Sequence, residues 1–324
     1  MKVRAIIPVA PFEPITLIAR SIDSLAALDC TGLDFKVYYV IDSNGTDYSS
    51  LTQLLPPHFQ IMTRSDNRGR RAGAINDALS SLEEADFIAL FDVDSRPDRD
   101  FIIKCVHVLR EGDAVLASGC RYITNKVNTL SKVIAIEYGF FCDIYRLFSW
   151  SKGFMQFNGI IGLSRADFLT QTIFDERSSC EDVDMSQRIY LSGNRAKLAQ
   201  TRIGEQAPTR VHDLCKQRVR WFRGALEGVQ RYFVPICGAR ISLLKKVTWF
   251  GSLIIPFFSY LLIPFVPRYL RCARAESANL TELVKITCGL FGYTCLMTVC
   301  GAIAVGQHLV ARNCEWGAVA RSEI

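Results

Sequence analysis

The chain has 324 residues, of which 49% are hydrophobic, and its formal net charge at pH 7 is +6. That length is enough for one large domain or two modest ones. The cations stand in short clusters without a recognised nucleic-acid-binding module, so we expect membrane lipids, and no nucleic acid, as the anionic partner. The 12 cysteines form no C-x-x-C pair and no zinc-like cluster, which predicts reduced thiols.

The first two-thirds of the chain alternate short apolar runs with amphipathic patterns. Strands are predicted at 3–9, 35–41, 60–63, 87–91, 114–118 and 196–199, and helices at 14–28, 72–82, 102–109, 130–147, 182–191 and 209–232, with an irregular segment at 154–163. This alternation predicts an α/β fold with a mostly parallel sheet and helices on both faces. Asp42 and Asp92 each follow a predicted strand, where ligands bind in sheets of this kind.

The C-terminal region is strongly apolar. Residues 247–267 contain no charged residue, and residues 286–310 contain no Lys, Arg, Asp or Glu. At about 1.5 Å per helical residue, either run matches a bilayer core of about 30 Å. We therefore predict a catalytic domain at 1–235 and a membrane region at 236–324 with one or two transmembrane segments. No signal peptide is predicted, so we expect a cytosolic catalytic domain attached to a plasma membrane or endomembrane.

Two topologies are open for the membrane region. A hairpin of two spanning helices would place the cations of the intervening loop outside, against the tendency of short loops to keep Lys and Arg in the cytosol. Pro256, Pro264 and Pro267 interrupt helical hydrogen bonding within the first run. The sequence therefore favours a first segment that is re-entrant or interfacial, with only 286–310 spanning, while the hairpin stays open.

Two acidic motifs carry the predicted chemistry. Asp92 and Asp94 follow the apolar strand at 87–91, and a turn there can bring both carboxylates to one hard divalent cation, Mg²⁺ or Mn²⁺. Glu181 and Asp182 stand at the start of a predicted helix, where acidic residues also favour helix capping. A carboxylate there can also take the proton of an attacking hydroxyl, and we assign that role to Asp182.

A basic and aromatic cluster follows in the predicted helix at 209–232. Arg220 matches the oxygens of a diphosphate, and the Trp221 indole can pack on the apolar face of a sugar. Arg71 opens an earlier helix with small residues behind it, which suits a nucleotide or phosphate. The alternative for the later cluster is a cationic amphipathic helix lying on a membrane. Together the motifs indicate sugar transfer from a nucleotide donor at a membrane.

These motifs resemble those of family 2 glycosyltransferases of the cellulose, hyaluronan and chitin synthase type, over about residues 3–232. The matching segments are Ile6-Ile7-Pro8, Asp42, Arg71-Ala72-Gly73-Ala74-Ile75-Asn76, Asp92-Val93-Asp94, Phe157-Asn158-Gly159, Cys180-Glu181-Asp182 and Gln217-Arg218-Val219-Arg220-Trp221. The chain departs from the family where Arg71 replaces Lys, Cys180 replaces Thr and Ser43 replaces an acid that many relatives carry.

The resemblance implies a GT-A fold followed by interfacial and transmembrane helices, and a metal-dependent, inverting transfer of a hexose from a UDP-sugar. It implies that Asp94 and Asp92 bind Mg²⁺ or Mn²⁺ and that Asp182 is catalytic. The implied donor contacts come from Asp42, Arg71, Asp92, Gln217 and Arg220. The implied acceptor contacts come from Trp221, Asn158, Gly159 and Glu181.

The acceptor stays open between a growing β-glycan and a membrane lipid, because Q-x-x-R-W also occurs in enzymes such as ceramide glucosyltransferases. An inactive homologue serving as a membrane subunit is a third alternative, which the retained acids disfavour. Synthases that extrude their polymer carry more membrane helices than this chain, and two segments cannot line a polysaccharide channel alone. A synthase would therefore need to form a homo-oligomer or recruit a channel-forming partner.

Overall fold

The computed structural model describes residues 1–42, 48–53, 55–254 and 265–310. The chain divides into two compact units, which we describe separately. Unit 1 comprises Met1–Cys120 and Met155–Gly204, and unit 2 comprises Arg121–Phe154 and Glu205–Ile324. The predicted boundary at residue 235, between a catalytic domain and a membrane region, stays a prediction.

Eight strands in the described residues form one mixed sheet, in the spatial order β3-β2-β1-β4-β7-β6-β8-β5. They are β1 (Lys2–Val9), β2 (Asp34–Asp42), β3 (Phe59–Arg64), β4 (Phe87–Leu90), β5 (Arg96–Pro97), β6 (Leu116–Ile123), β7 (Gly162–Arg165) and β8 (Ala196–Glu205). β1 pairs in parallel with β2 and β4, and β2 with β3, whereas β7 is antiparallel to β4 and β6. The predicted α/β fold with a mostly parallel sheet is confirmed, and Asp42 and Asp92 stand at the ends of parallel strands.

Helices connect the strands of unit 1 and make up most of unit 2. In chain order they are α1 (Ile15–Ala26), α2 (Ser49–Thr52), α3 (Arg70–Ser81), α4 (Phe101–Arg110), α5 (Thr129–Ser151), α6 (Ala166–Gln171), α7 (Glu181–Leu191), α8 (Val211–Gly238), α9 (Leu243–Ile254), α10 (Val266–Ala275) and α11 (Leu280–Leu309). In α1 the residues Leu17, Ile18 and Ile22 are buried on one face, as their helical spacing predicts. They pack in the same core as the apolar residues of β1 and β2. This packing holds in place the strands at whose ends Asp42 and Asp92 lie.

One predicted segment differs from the structure in kind. Residues 154–163 are not irregular throughout, since they contain a 3₁₀ turn at Asn158–Ile160 and the start of β7. A Cβ on Gly162 would lie 2.3 Å from the Ala117 carbonyl oxygen. The glycine allows close pairing with β6, and only the folded neighbour reveals that need.

Unit 2 is built around α5, α8 and α11. Its core includes Phe222 of α8 together with Ile286 and Met297 of α11, while Phe291 and Val299 on α11 are exposed. Within the described ranges, α11 is the one helix long and apolar enough to cross a membrane, by length and composition, with a mean hydropathy of 1.8. One face of α11 thus packs on protein and another presents apolar side chains.

The first apolar run, 247–267, falls partly outside the described residues. α9 ends at Ile254 and α10 begins at Val266. The part of that run between the two helices lies outside the described residues, and so does Ser43, where the chain departs from the family pattern.

Two cysteines differ from the other described cysteines in their oxidation state. Cys120 and Cys142 are disulfide-bonded, so the prediction of reduced thiols is wrong for these two. The spacing of the cysteines along the chain does not indicate that these two would be oxidised. The free cysteines in the described part of the chain are Cys30, Cys105, Cys180, Cys215, Cys237, Cys272, Cys288, Cys295 and Cys300.

Candidate active site

The D-x-D motif forms a turn directly after β4. The Asp92 N–H donates to the Ser95 hydroxyl at 3.0 Å, and the Ser95 N–H donates to the Asp92 carbonyl at 2.9 Å. Between the two acids, Val93 is buried in the core, and Asp94 is also buried. The Asp92 side chain is 35% exposed. The turn, rather than strand alternation, therefore sets the directions of the two carboxylates.

Arg71, the second residue of α3, binds three of the predicted motifs at once. Its Nε lies 2.8 Å from Asp92 Oδ1, and its Nη1 lies 3.0 Å from Glu181 Oε1. Its Nη2 donates to the Gly159 carbonyl oxygen at 2.6 Å. Burial lowers the pKa of the Arg71 guanidinium, but the Asp92 and Glu181 carboxylates more than offset this, and the net effect is a raised pKa. Arg71 is therefore a permanent cation within an acidic cluster.

Asp182 is joined to the same cluster through Gly159. The Gly159 N–H donates to Asp182 Oδ2 at 2.6 Å, and the Val183 N–H donates to Asp182 Oδ1 at 2.8 Å. Gly159 has a φ of 66°, in the left-handed region that glycine adopts without a steric penalty. Cys180, not Asp182, is the N-cap residue of α7. Each carboxylate oxygen of Asp182 keeps a further lone pair, so it remains able to accept a proton.

Asp42 is paired with a residue that sequence reasoning missed. Arg64 Nη1 lies 2.6 Å from Asp42 Oδ1, and both side chains are buried. Arg64 Nε also lies 2.8 Å from Asp77 Oδ2. Burial raises the pKa of Asp42 and the Arg64 charge lowers it, with a net rise. The strand register could have indicated this pair, because Asp42 and Arg64 are direct partners on β2 and β3. The strand predicted at 60–63 stopped one residue before Arg64.

The residues after β4 fit a divalent cation that takes few protein ligands. Across the described residues, no group of three or more His, Cys, Asp or Glu side chains is arranged to hold a metal ion. Mg²⁺ commonly binds through one or two carboxylates and completes its shell with substrate phosphates and water. Asp94, with Asp92 beside Arg71, supplies such a donor set of hard carboxylate oxygens.

The basic and aromatic cluster lies on α8, in unit 2. The Arg218 guanidinium carbon stands 4.3 Å from the ring centroid of Trp221, a cation–π contact. Arg218 Nη2 also lies 2.6 Å from Glu137 Oε2 of α5. Burial lowers the pKa of Arg218 and Glu137 raises it, and the net effect is a raised pKa. Arg218 therefore covers part of one face of the Trp221 indole, and the Trp221 side chain as a whole is partly buried.

The remaining predicted residues keep the positions that the motifs give them. Gln217 and Arg220 are partly buried on α8 near Trp221 in sequence, and Asn158 begins the 3₁₀ turn that holds Gly159. The contacts of Arg71, Asp92, Gly159, Glu181 and Asp182 bring five predicted site residues together within unit 1. Their roles toward donor and acceptor stay predictions.

The pattern of one protein family spans most of this region. The family described as Glycosyl transferase family group 2 matches residues 87–307. The chain belongs to this family. The match includes the D-x-D turn, the Gly159 turn, α7 and the Arg218–Trp221 cluster, so the family resemblance predicted from the motifs is confirmed.

Several plant proteins in curated collections resemble the chain at low identity. It is 24% identical over 197 residues to probable glucomannan 4-beta-mannosyltransferase 7 of Oryza sativa subsp. japonica, covering 58% of this chain and 34% of the relative. It is 28% identical over 193 residues to probable glucomannan 4-beta-mannosyltransferase 1 of Arabidopsis thaliana, covering 56% and 35%. The matched part thus spans about a third of the length of these relatives. They support glycosyl transfer as the coarse function of this family member.

Solved structures share the fold. Mannosyltransferase PcManGT from Pyrobaculum calidifontis, in complex with GDP-Man and Mn²⁺, superposes with a TM-score of 0.66 at 17% identity, over 96% of this chain and 88% of that one. Residues 1–349 of TarS from S. aureus, in complex with UDP-GlcNAc, superpose with a TM-score of 0.51 at 15% identity, over 96% and 93%. At these identities the likeness concerns the fold alone, and it agrees with the predicted GT-A architecture.

Proposed function

We propose that this protein is a membrane-associated, inverting glycosyltransferase that moves a hexose from a UDP-sugar to a growing β-glycan. The observation that carries the proposal is the cluster in unit 1, where Asp182 is held by Gly159 and Arg71 joins both to the D-x-D turn. A positioned carboxylate beside a cation-binding turn is what acid–base transfer from a sugar diphosphate requires.

Asp182 is the general base in this proposal. It accepts the proton of the acceptor hydroxyl while that oxygen attacks the anomeric carbon opposite the leaving diphosphate, which inverts the configuration. Two backbone N–H groups orient its carboxylate, so little reorganisation is needed during proton transfer. Asp94, with Asp92, would hold Mg²⁺ or Mn²⁺, which when bound neutralises charge on the leaving diphosphate.

Asp42 is proposed to contact the nucleobase, and Gln217 and Arg220 the donor phosphates. The imide N–H of uracil can donate a hydrogen bond to a carboxylate, and so can the ring N–H of guanine. Asp42 is therefore compatible with either base. GDP-mannose is therefore the second donor candidate. It is supported by the relatives named as mannosyltransferases and by the neighbour solved with GDP-Man.

Trp221 is proposed to bind the acceptor sugar, with Asn158, Gly159 and Glu181 on the acceptor side. A glycan chain suits the relatives named for glucomannan, whereas a membrane lipid receiving one sugar is the alternative. In either case the apolar helix α11 supports attachment to a membrane. The catalytic domain lies in the cytosol in this proposal. An inactive membrane subunit is the alternative that a test of turnover addresses.

The experiment is a donor screen with the full-length protein in membranes. UDP-glucose, UDP-GlcNAc, UDP-galactose, UDP-glucuronate and GDP-mannose are supplied as radiolabelled donors with Mn²⁺, and products are separated by size and by extraction into organic solvent. We expect nucleotide release with one donor and a product that resists extraction and grows with time. An extractable product of fixed size would favour a lipid acceptor. No nucleotide release from any donor would overturn the proposal and favour the inactive subunit.

A further inference from the structure

We propose that Arg71 is a positioning residue for the catalytic base and the D-x-D turn, in place of the direct donor contact that the resemblance implies. This inference rests on the proposed function of the site. It starts from a departure of the sequence, because Arg71 stands where the family pattern has Lys.

The three bonds of Arg71 reach three different parts of unit 1. Nε binds Asp92 after β4, Nη1 binds Glu181 at the start of α7, and Nη2 binds the carbonyl of Gly159 in the 3₁₀ turn. These groups are far apart in sequence but meet on one guanidinium that is 11% exposed. The rigid fork of arginine presents five donors in one plane, whereas lysine offers a single compact ammonium. Arginine can therefore bind three partners that lie in different directions, which lysine cannot do in the same way. We call the three bonds from Arg71 to Asp92, Glu181 and Gly159 the clamp.

The clamp acts on the base through Gly159. Arg71 fixes the Gly159 carbonyl, and the N–H of the same residue donates to Asp182 Oδ2 at 2.6 Å. Glu181, the neighbour of Asp182 on α7, is fixed by the same arginine. Asp182 is therefore linked to α3 in two ways, through its neighbour Glu181 and through Gly159, which binds its carboxylate. Loss of the clamp would remove the partner of the Gly159 carbonyl, so the position of the Gly159 N–H that binds Asp182 would be less well fixed.

The clamp also leaves few donors for a substrate. Each nitrogen of the guanidinium already binds a protein oxygen at 2.6–3.0 Å. Two of its five N–H groups remain, one on Nη1 and one on Nη2, and they belong to a side chain that is only 11% exposed. Arg71 is thus better placed to arrange the groups that contact substrate than to contact substrate itself.

The test compares Arg71→Gln and Arg71→Lys with the wild type, using the donor that wild-type enzyme turns over. We expect R71Q to lower kcat for transfer by about 10²-fold, the usual cost of misplacing a reacting group by about 1 Å. The dissociation constant for the donor, measured by titration calorimetry, should stay within about twofold. R71K keeps the charge but not the fork, so it should recover only part of the rate. Arg165→Gln, which removes the same charge at an exposed ion pair with Asp167, is the matched control and should change neither quantity.

If the donor dissociation constant of R71Q rises enough to account for the lost rate, the proposal is overturned, and Arg71 binds the donor directly. A second measurement does not depend on turnover. In thermal unfolding of R71Q, E181Q and the double variant, the clamp predicts a double variant less destabilised than the sum of the single ones. Additive effects would show that Arg71 and Glu181 are not coupled and would overturn the clamp. If wild-type enzyme transfers no sugar, the proposed function fails while this cycle still decides the contact.

Discussion

The buried pair of Arg64 and Asp42 allows a quantitative prediction about stability. The two side chains are 6% and 7% exposed, with Nη1 and Oδ1 2.6 Å apart. Arg64→Gln leaves the Asp42 carboxylate buried without its cation, and removing one partner of such a pair typically costs about 3–5 kcal/mol. The pair of Arg165 and Asp167, with side chains 46% and 59% exposed, should contribute at most about 1 kcal/mol. R64Q should therefore lose several times more stability than R165Q.

The stability that R64Q loses should depend on pH, because Asp42 can take up a proton. Burial raises the pKa of Asp42 in the folded protein despite Arg64, and removing Arg64 should raise it further. A carboxyl with a folded pKa above its unfolded value of about 3.9 binds its proton more tightly in the folded state, so stability falls as pH rises between those two values. The deficit of R64Q relative to wild type should be largest above the raised pKa and should shrink as Asp42 becomes protonated.

The assay is denaturant or thermal unfolding of wild type, R64Q, R165Q and R64Q with Asp42→Asn, at about pH 5 and about pH 8. Asp42→Asn removes the unpaired charge, so the double variant should recover the part of the lost stability that the buried carboxylate causes, whereas the part due to the lost contact with Asp77 should remain. Equal losses in R64Q and R165Q would refute the reasoning. A double variant no more stable than R64Q would refute it as well.

Three further predictions concern the active site and the membrane region. Asp94→Asn should abolish nucleotide release, because Asp94 is the proposed main ligand of the divalent cation, and full wild-type activity in excess EDTA would contradict this. Trp221→Ala should slow transfer to the acceptor more than hydrolysis of the donor by water, since the indole is proposed to bind the acceptor sugar. Equal losses in both reactions would indicate that Trp221 only packs against Arg218. If only 286–310 spans the membrane, Cys314 lies outside and Cys272 in the cytosol, so an impermeant thiol reagent added outside should label Cys314 but not Cys272, in a background without the other free cysteines. The reverse pattern would establish a two-helix hairpin.

The parallel part of the fold follows from local sequence. β1, β2 and β4 are apolar runs that end at turn residues or acids, and their burial in a sheet covered by helices requires no information beyond that pattern. The positions of Asp42 and Asp92 at strand ends follow for the same reason. β7 could not be predicted in this way, because its four residues owe their conformation to pairing with β4 and β6.

The contacts that hold the site depend on distant pairs. The motifs locate Arg71, Glu181 and Asp182, but nothing local indicates that one guanidinium joins Asp92 to Glu181, which is 110 residues away from Arg71. The contact between Arg218 and Glu137 spans 81 residues, and it emerges only when α5 and α8 pack. Sequence patterns identify which side chains carry the chemistry, whereas the supporting partners are set by tertiary packing.

The central claim is that Asp182 takes the proton of the acceptor. The most direct test is the rate of transfer by Asp182→Asn, measured beside the dissociation constant for the donor. A positioned general base is usually worth about 10²–10⁴-fold, so transfer should fall by that factor while donor binding stays close to that of wild type. A parallel loss of donor affinity and rate, or a rate equal to that of wild type, would contradict the account.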